Sequence, residues 1–264
     1  MEYEDLLLEK KDEIATITLN VPEKLNAITG KMSRSIKLAA DDIALDDAIR
    51  VVIVTGAGRG FCSGADVTMM AAARGGGDVP RFNRIQHMGY PHADAFPRLN
   101  KPVIAAINGP CVGGGFSLAL SCDIRIASEA ARFGAAQVAR ALVPDWGMTY
   151  YLPKVIGMSN AFQIMFTAEL FGAAEAERMG IVSRVVAPDE LMNVAMELAK
   201  KIAQNPPFSL ELTKKMVWRG LFDSLDRQMD LEGWAQNICF MTEDHRESVK
   251  AFLEKKPAPK FKGK

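Results

Sequence analysis

The chain has 264 residues, of which 48% are apolar, and its 32 basic residues balance 32 acidic ones. This is enough apolar material for a hydrophobic core, and the balanced charge excludes a net field that would hold nucleic acid or an anionic membrane. No apolar stretch reaches the roughly 20 residues of a membrane span. The sequence therefore predicts a cytoplasmic protein with neither nucleic acid nor membrane as a partner.

The first half of the chain alternates between strand and helix patterns. Strands are predicted over 13–19, 50–55 and 103–108, and a helix over 31–48. This order is typical of a sheet with crossover helices. The segment 71–99 includes three consecutive glycines and is predicted to be a mobile flap, in which His87 and His92 are expected to be exposed.

The second half begins with a predicted helix over 116–121 and strands over 123–127 and 182–186. Four helices are then predicted, over 191–203, 207–219, 225–239 and 244–253, followed by a basic tail. The predicted organisation is an α/β core over 1–190 and a helical region over 191–264.

The four cysteines lie in apolar or glycine-rich segments without the spacing of metal ligands. They are Cys62, Cys111, Cys122 and Cys239. The sequence predicts reduced, buried thiols and no bound metal.

Two turns of small residues carry the strongest functional pattern. Gly113-Gly114-Gly115 and Gly64-Ala65-Asp66 both follow apolar strands, and each can present a bare backbone N–H. Two N–H donors that converge on a carbonyl oxygen form an oxyanion hole, in which each donor is worth about 3–4 kcal/mol. The pattern predicts an enzyme that acts on activated acyl groups such as thioesters.

Three segments together resemble the crotonase (enoyl-CoA hydratase/isomerase) superfamily: 20–27 (NVPEKLNA), 56–66 (GAGRGFCSGAD) and 108–117 (NGPCVGGGFS). The resemblance spans nearly the whole chain. It implies a spiral of repeated ββα units with a C-terminal helical region that makes trimers, which commonly pair into hexamers. It also implies an acyl-CoA substrate without a separate cofactor, because coenzyme A enters as part of the substrate. The run 56–60 lacks the βαβ setting of a dinucleotide site, so NAD is rejected.

The resemblance also assigns roles to individual residues. Ala65 and Gly114 would supply the two N–H donors to the thioester oxygen. Coenzyme A would contact Lys24 and the main chain at Leu25, Ala27, Ser63 and Asp66. Phe252 and Lys255, from the C-terminal region of the same or of a neighbouring subunit, would cover the adenine and its phosphate. An ordinary solvated charge is the alternative interpretation of Lys24 and Lys255, and for Asp66 it is an anchor of its own turn.

The sequence departs from the family's hydratases at two positions. Those enzymes carry glutamates where this chain has Ser117 and Gln137. Neither a hydroxyl nor an amide titrates near neutral pH, so hydration by two carboxylates is disfavoured.

Asp145 is the acid left in this neighbourhood, and family isomerases often carry an aspartate at the matching position. One carboxylate suffices to move a proton from C2 to C4 of a 3-enoyl thioester. The alternatives are a helix N-cap and, as in aryl-CoA dehalogenases, a nucleophile. A cap would keep Asp145 ionised, whereas a dry pocket would raise its pKa.

Several neighbours of Asp145 allow two interpretations. The residues that either line the acyl pocket or belong to the core are Trp146, Phe116, Met69, Met70 and Met148. Ser117 either orients the substrate or Asp145, or simply faces the pocket. If Asp145 forms a covalent ester, His87 or His92 is a candidate base for the water that cleaves it.

The function predicted from these features is an enoyl-CoA double-bond isomerase. The alternatives are a hydratase-like lyase, an aspartate-nucleophile dehalogenase or hydrolase, and an acyl-CoA binder without catalysis.

Overall fold

The computed structural model describes residues 3–66 and 92–264. The strands of this part are β1 (Leu6–Lys11), β2 (Ile14–Leu19), β3 (Val51–Gly56), β4 (Val103–Ile107), β5 (Pro110–Val112), β6 (Ile124–Ser128), β7 (Arg132–Gly134), β8 (Phe171–Gly172) and β9 (Arg184–Val186). Its helices are α1 (Gly30–Ala44), α2 (Ala95–Arg98), α3 (Gly114–Leu120), α4 (Met148–Ile156), α5 (Met158–Thr167), α6 (Ala173–Arg178), α7 (Leu191–Ala203), α8 (Pro207–Gly220), α9 (Leu225–Phe240) and α10 (Glu243–Leu253). Within these ranges no helix is both long and apolar enough to cross a membrane.

Six strands form the main sheet in the order β1-β2-β3-β4-β6-β9. The β1–β2 pair is antiparallel and the other pairs are parallel. A parallel sheet is covered on both faces, which explains why β3 is buried along its whole length. Val52 and Val54 pack in the same cluster as residues of α1, whereas Val51 and Ile53 pack against α7. A smaller sheet, β5-β7-β8, lies beside the main one.

The predicted α/β core with a C-terminal helical region is confirmed. The strands β2, β3 and β4 and the helices α7 to α10 lie within a residue or two of the predicted ranges. The boundary at residue 190 stays a prediction; α7, just after it, packs on the main sheet. Strand β1, the strands β5, β7 and β8, and the helices α5 and α6 were not predicted. Most of the predicted flap, including His87, lies outside the described residues, and so do the candidate pocket residues Met69 and Met70.

Helix α1 ends four residues earlier than predicted. The carboxylate of Asp46 accepts a hydrogen bond from the Ala48 N–H at 3.0 Å, and an aspartate that bonds the backbone two residues ahead forms a turn. Lys10 binds the same carboxylate at 2.8 Å. The chain therefore leaves the helix and turns toward β3.

Helix α8 is attached to the core by one buried lysine. Lys214 Nζ lies 2.7 Å from Asp123 Oδ2 and also donates to the carbonyl oxygens of Phe96 and Lys101. Trp218 Nε1 donates to the other oxygen of Asp123 at 2.8 Å. A cavity of about 380 Å³ lies between α8 and α4 beside this ion pair. Asp123 immediately precedes β6, which runs parallel to β4. The cavity therefore lies at the edge of the sheet where these two strands begin, opposite to the edge where the chain turns after β4.

The basic tail folds back onto the sheet. Phe261 is buried, and its carbonyl oxygen accepts a hydrogen bond of 2.6 Å from the guanidinium of Arg50, which immediately precedes β3. Arg50 also donates to the carbonyl oxygen of Ala203. The carboxylate of Asp244 accepts from the N–H groups of Lys262 and Gly263. The tail is thus part of the packed structure.

Candidate active site

The two small-residue turns meet in the structure. The backbone φ angles of Gly64 and Gly113 are +99° and +56°, a region that favours glycine. A Cβ on Gly64 would lie 3.2 Å from the Gly114 nitrogen, so the two turns are in close contact. The positive φ expected in the triple-glycine run is therefore found at Gly113, and the close approach explains the absence of a side chain at Gly64.

The Ala65 N–H faces the second turn. The segment around Ala65 pairs with Ile28, because the Ile28 N–H donates to the Gly64 carbonyl and the Asp66 N–H donates to the Ile28 carbonyl. Alternate peptide groups of an extended chain point to opposite sides, so the Ala65 N–H points away from Ile28 and toward the side of Gly113 and Gly114. The same segment pairs on that side through Cys62 and Cys111.

Helix α3 begins at Gly114, and the first N–H groups of a helix have no partner within it. Within the described residues, neither the Gly114 nor the Ala65 N–H donates to another group of the chain. A Cβ on Gly115 would lie 2.2 Å from the Cys62 carbonyl oxygen, which explains the third glycine. The turns therefore place two available donors side by side, as an oxyanion hole requires.

Asp145 lies next to these turns. Gln137 Nε2 donates to Asp145 Oδ1 at 3.5 Å, and the fully buried Ser117 Oγ donates to the Asp145 main-chain oxygen at 2.9 Å. Burial raises the pKa of the Asp145 carboxyl, and the hydrogen bond from Gln137 opposes that shift. Ser117, on α3, thereby fixes the position of the loop that carries Asp145 relative to the turn formed by Gly113, Gly114 and Gly115, called the oxyanion turn below.

The helix N-cap interpretation of Asp145 is wrong. Helix α4 begins at Met148, its cap residue is Gly147, and no side chain caps it. Asp145 contributes its main-chain oxygen, which accepts from the Met148 N–H. The carboxylate is thus not used as a helix cap and is available to a substrate. Burial raises its pKa more than the hydrogen bond from Gln137 lowers it.

Trp146 packs directly on the oxyanion turn. A Cβ on Gly114 would lie 1.9 Å from Trp146 Cζ3, so the indole ring occupies the space that a side chain at Gly114 would need. The φ angle of Trp146 is +53°, unusual for a bulky residue. The ring meets His92 edge-on, with 4.3 Å between centroids. Trp146 thus belongs to the site, whereas Phe116 and Met148 are buried core residues.

The predicted exposure of His92 is wrong, because the side chain is buried behind Trp146. Its Nδ1 lies 2.7 Å from Ser33 Oγ on α1. Burial lowers the pKa of His92 to about 4, so the ring is neutral at neutral pH. Sequence reasoning placed His92 in a loop and missed the apolar contact with Trp146.

Three of the predicted coenzyme A residues, Lys24, Ser63 and Asp66, lie together where the 20–27 segment meets the 64–66 turn. Lys24 Nζ pairs with Asp66 Oδ2 at 2.8 Å; the Lys24 side chain is 46% exposed and that of Asp66 only 6%. The Asp66 carboxylate raises the pKa of Lys24. Ser63 Oγ donates to the Lys24 carbonyl oxygen at 3.0 Å. The cation is thus held near the turn by Asp66, and its side chain stays about half exposed.

The main-chain N–H groups of this region are already used. Those of Leu25, Ala27, Ser63 and Asp66 all donate to carbonyl oxygens within the chain. Main-chain contacts with a ligand are therefore left to carbonyl oxygens. Phe252 and Lys255 are exposed at the end of α10, and within the described ranges no hydrogen bond or ion pair joins them to the site.

Comparisons with known proteins agree with this arrangement. A family model described as enoyl-CoA hydratase/isomerase matches residues 9–264. The chain belongs to the enoyl-CoA hydratase/isomerase family. It is 39% identical over 270 residues to the short-chain-enoyl-CoA hydratase of Clostridium acetobutylicum, with both chains fully covered.

Two further proteins are similar to this chain over nearly its whole length. The 1,2-epoxyphenylacetyl-CoA isomerase of Escherichia coli is 36% identical over 251 residues, with 95% of each chain covered. The crystal structure of the enoyl-CoA hydratase of Bacillus anthracis has a TM-score of 0.90 and 32% identity, covering 99% of this chain and all of the other. The protein is thus a crotonase-fold enzyme of the acyl-CoA family, and most of the similar proteins are named as hydratases.

Two asparagines that hold the 56–60 loop, Asn26 and Asn108, were not singled out from the sequence. Asn26 Nδ2 donates to the carbonyl oxygens of Ala57 and Gly60, and Asn108 Nδ2 donates to those of Gly56 and Gly58. Both residues lie in the family-like segments, but a buried amide that bonds distant carbonyls has no local pattern. They keep the 56–60 loop in place beside the 20–27 segment, which is predicted to contact coenzyme A.

The four cysteines of the family enzyme are free thiols. Cys62, Cys111 and Cys122 are buried free thiols, and Cys239 is half-buried. Burial raises the pKa of Cys62 and of Cys122 to about 12, which disfavours the reactive thiolate. In the part of the chain that the structure describes, no group of three or more potential ligands is placed to hold a metal ion.

Proposed function

We propose that the protein is an acyl-CoA double-bond isomerase in which Asp145 moves the proton. The observation that carries the proposal is the position of Asp145, half-buried beside the oxyanion turn and contacted by Ser117 and Gln137. Burial raises the pKa of its carboxyl group, which makes the carboxylate a stronger base.

In the proposed reaction, the Asp145 carboxylate takes a proton from C2 of a 3-enoyl thioester. The electron pair of the C–H bond passes to the thioester oxygen, and the N–H groups of Ala65 and Gly114 stabilise the resulting dienolate. Asp145 then returns the proton to C4, and the double bond moves to C2–C3. Atoms and charge balance with one carboxylate, and no second acid is needed.

Hydration is the second candidate because relatives at 35–39% identity are named as hydratases. Ser117 and Gln137 cannot supply the two carboxylates of that reaction, and the Ser117 hydroxyl already donates to the Asp145 main chain. Asp145 would have to deprotonate water and also deliver a proton to C2. The single carboxylate therefore favours isomerisation.

The coenzyme A moiety of the substrate is proposed to lie along the 20–27 segment, where it contacts Lys24. The main chain near Leu25, Ala27, Ser63 and Asp66 is proposed to contact it through carbonyl oxygens. Phe252 and Lys255 are proposed to complete this site from a neighbouring subunit of a trimer or hexamer. The exposed Phe162 and Phe166, which stack 5.0 Å apart on α5, support self-association. Mass determination by light scattering tests the oligomeric state.

The experiment that tests the proposed function is mass spectrometry of the products from 3-hexenoyl-CoA and 2-hexenoyl-CoA in heavy water. A double-bond shift with deuterium incorporation is expected. Addition of water would instead identify a hydratase, release of coenzyme A a hydrolase, and no reaction a binding protein.

The Asp145→Asn variant is expected to lower isomerisation by about 10²–10⁴-fold, because general acid–base catalysis contributes that much. Hexanoyl-CoA is expected to bind this variant as it binds the unaltered protein. The matched control is Asp189→Asn, which makes the same change at an exposed carboxylate. Undiminished isomerisation by Asp145→Asn would exclude the mechanism.

A further inference from the structure

Gln137 lies between the oxyanion turn and Asp145. Its side chain is about nine-tenths buried, with 8% exposure. A Cβ on Gly113 would lie 4.0 Å from Gln137 Cδ, and Gln137 Nε2 lies 3.5 Å from Asp145 Oδ1. The carboxamide therefore borders the place where the acyl carbons next to a bound thioester carbonyl must lie.

The orientation of this carboxamide follows from Asp145. An ionised carboxylate accepts hydrogen bonds and cannot donate them, so the NH₂ end of Gln137 faces Asp145 and the carbonyl end faces away. Among the residues that the structure describes, Gln137 Oε1 is buried and has no hydrogen-bond partner. A buried acceptor left unsatisfied is unfavourable, so this oxygen is suited to a donor that arrives with the ligand.

Ser117 provides the contrast at the other position where hydratases carry a glutamate. Its hydroxyl donates to the Asp145 main-chain oxygen at 2.9 Å and is fully buried. The Ser117 donor is therefore used within the chain, whereas the Gln137 carbonyl oxygen is buried without a hydrogen-bond partner among the described residues.

We propose that Gln137 Oε1 accepts a hydrogen bond from a hydroxyl group on the acyl chain, and that the preferred substrates are hydroxylated acyl-CoA thioesters. This inference rests on the proposed function in placing the thioester oxygen at Ala65 and Gly114. The hydroxyl belongs on a carbon close to those that exchange protons with Asp145, because one amide group separates the two contacts. A water molecule is the other source of a donor, and the experiment distinguishes it.

The test is calorimetric titration with hexanoyl-CoA and with its 3-, 4- and 5-hydroxy derivatives. At least one hydroxy derivative is expected to bind about tenfold tighter than hexanoyl-CoA, because its hydroxyl would satisfy an acceptor that is otherwise buried without a partner. The advantage is expected to disappear in Gln137→Met, which keeps the volume and removes the carbonyl. The matched control Ser117→Ala is expected to retain it.

Gln137→Glu keeps an acceptor oxygen at this position and is expected to retain the preference, even if Gln137→Met does not fold. Equal affinity for all four thioesters would mean that water satisfies the carbonyl, and it would overturn the inference. Survival of the preference in Gln137→Met, or its loss in Gln137→Glu, would do the same. These ligands have no double bond to move, so failure to isomerise 3-hexenoyl-CoA would refute the proposed function without deciding this inference.

Discussion

The variant Gly114→Ala tests whether Trp146 and the oxyanion turn form one packed unit. The new Cβ would lie 1.9 Å from Trp146 Cζ3 and 2.2 Å from Cε3. Carbon atoms pack at about 3.5–4.0 Å, so the indole ring has to move by about 1.6 Å or more. Overpacking of this kind destabilises by about 1–3 kcal/mol. A displacement of about 1 Å in a catalytic group lowers turnover about 100-fold, and Asp145 precedes Trp146 in the chain.

The free energy of unfolding is measured by urea titration. The value of kcat/KM is measured separately, with the thioester that the unaltered protein turns over. The matched control is Gly233→Ala in α9, where a Cβ meets nothing within 4 Å. That control is expected to gain about 0.5–1 kcal/mol, because alanine suits a helix interior better than glycine. The double variant Gly114→Ala/Trp146→Leu is expected to be less destabilised than the sum of its single variants. Unchanged stability and turnover in Gly114→Ala would refute the packing argument.

Two further predictions follow from buried and paired charges. The pKa of His92 is lowered to about 4 from 6.5, so between these pH values the unfolded chain binds a proton that the folded chain does not. As the pH falls through this window, the free energy of unfolding is expected to fall by up to about 3 kcal/mol. The fall is expected to be smaller in His92→Gln. If urea titrations show the same pH dependence for both proteins, the prediction is contradicted. Lys24→Met is expected to raise KM for acyl-CoA more than it lowers kcat, whereas Lys31→Met, which removes an exposed pair with Glu4, leaves KM unchanged. Equal KM values for both variants would contradict a role for Lys24.

The parts of the fold that the sequence predicted are those in which local pattern and burial agree. β3 is a continuous apolar run because both of its faces are covered, and α7 has apolar residues at helical spacing because one face packs on the sheet. β1 was missed because its sequence LLLEKK does not alternate, although its register with β2 is complete. The end of α1 was missed because it depends on the side chain of Asp46.

In the candidate site too, features set by local sequence were predictable and features set by distant residues were not. The glycine turns were predictable because glycine alone readily adopts the combination of φ +56° and ψ −124° found at Gly113, and because a side chain at Gly115 would meet the Cys62 carbonyl. The pKa shift of Asp145 was not, because it depends on burial by residues distant in sequence. His92 was expected in solvent for the same reason, since its contacts come from Ser33 and Trp146.

The bond between Arg50 and the tail has a consequence for how the protein forms in the cell. Arg50 and Phe261 are separated by 211 positions, so the guanidinium beside β3 gains this partner only after more than two hundred further residues have been synthesised. Contacts between such distant segments form late and slow folding. A nascent chain that already contains the sheet strands can form the ion pair between Arg50 and Glu13 but lacks the bonds from Arg50 to Ala203 and Phe261. The contact is therefore made only once residue 261 has been synthesised, and a chain truncated before Phe261 would leave Arg50 without this partner.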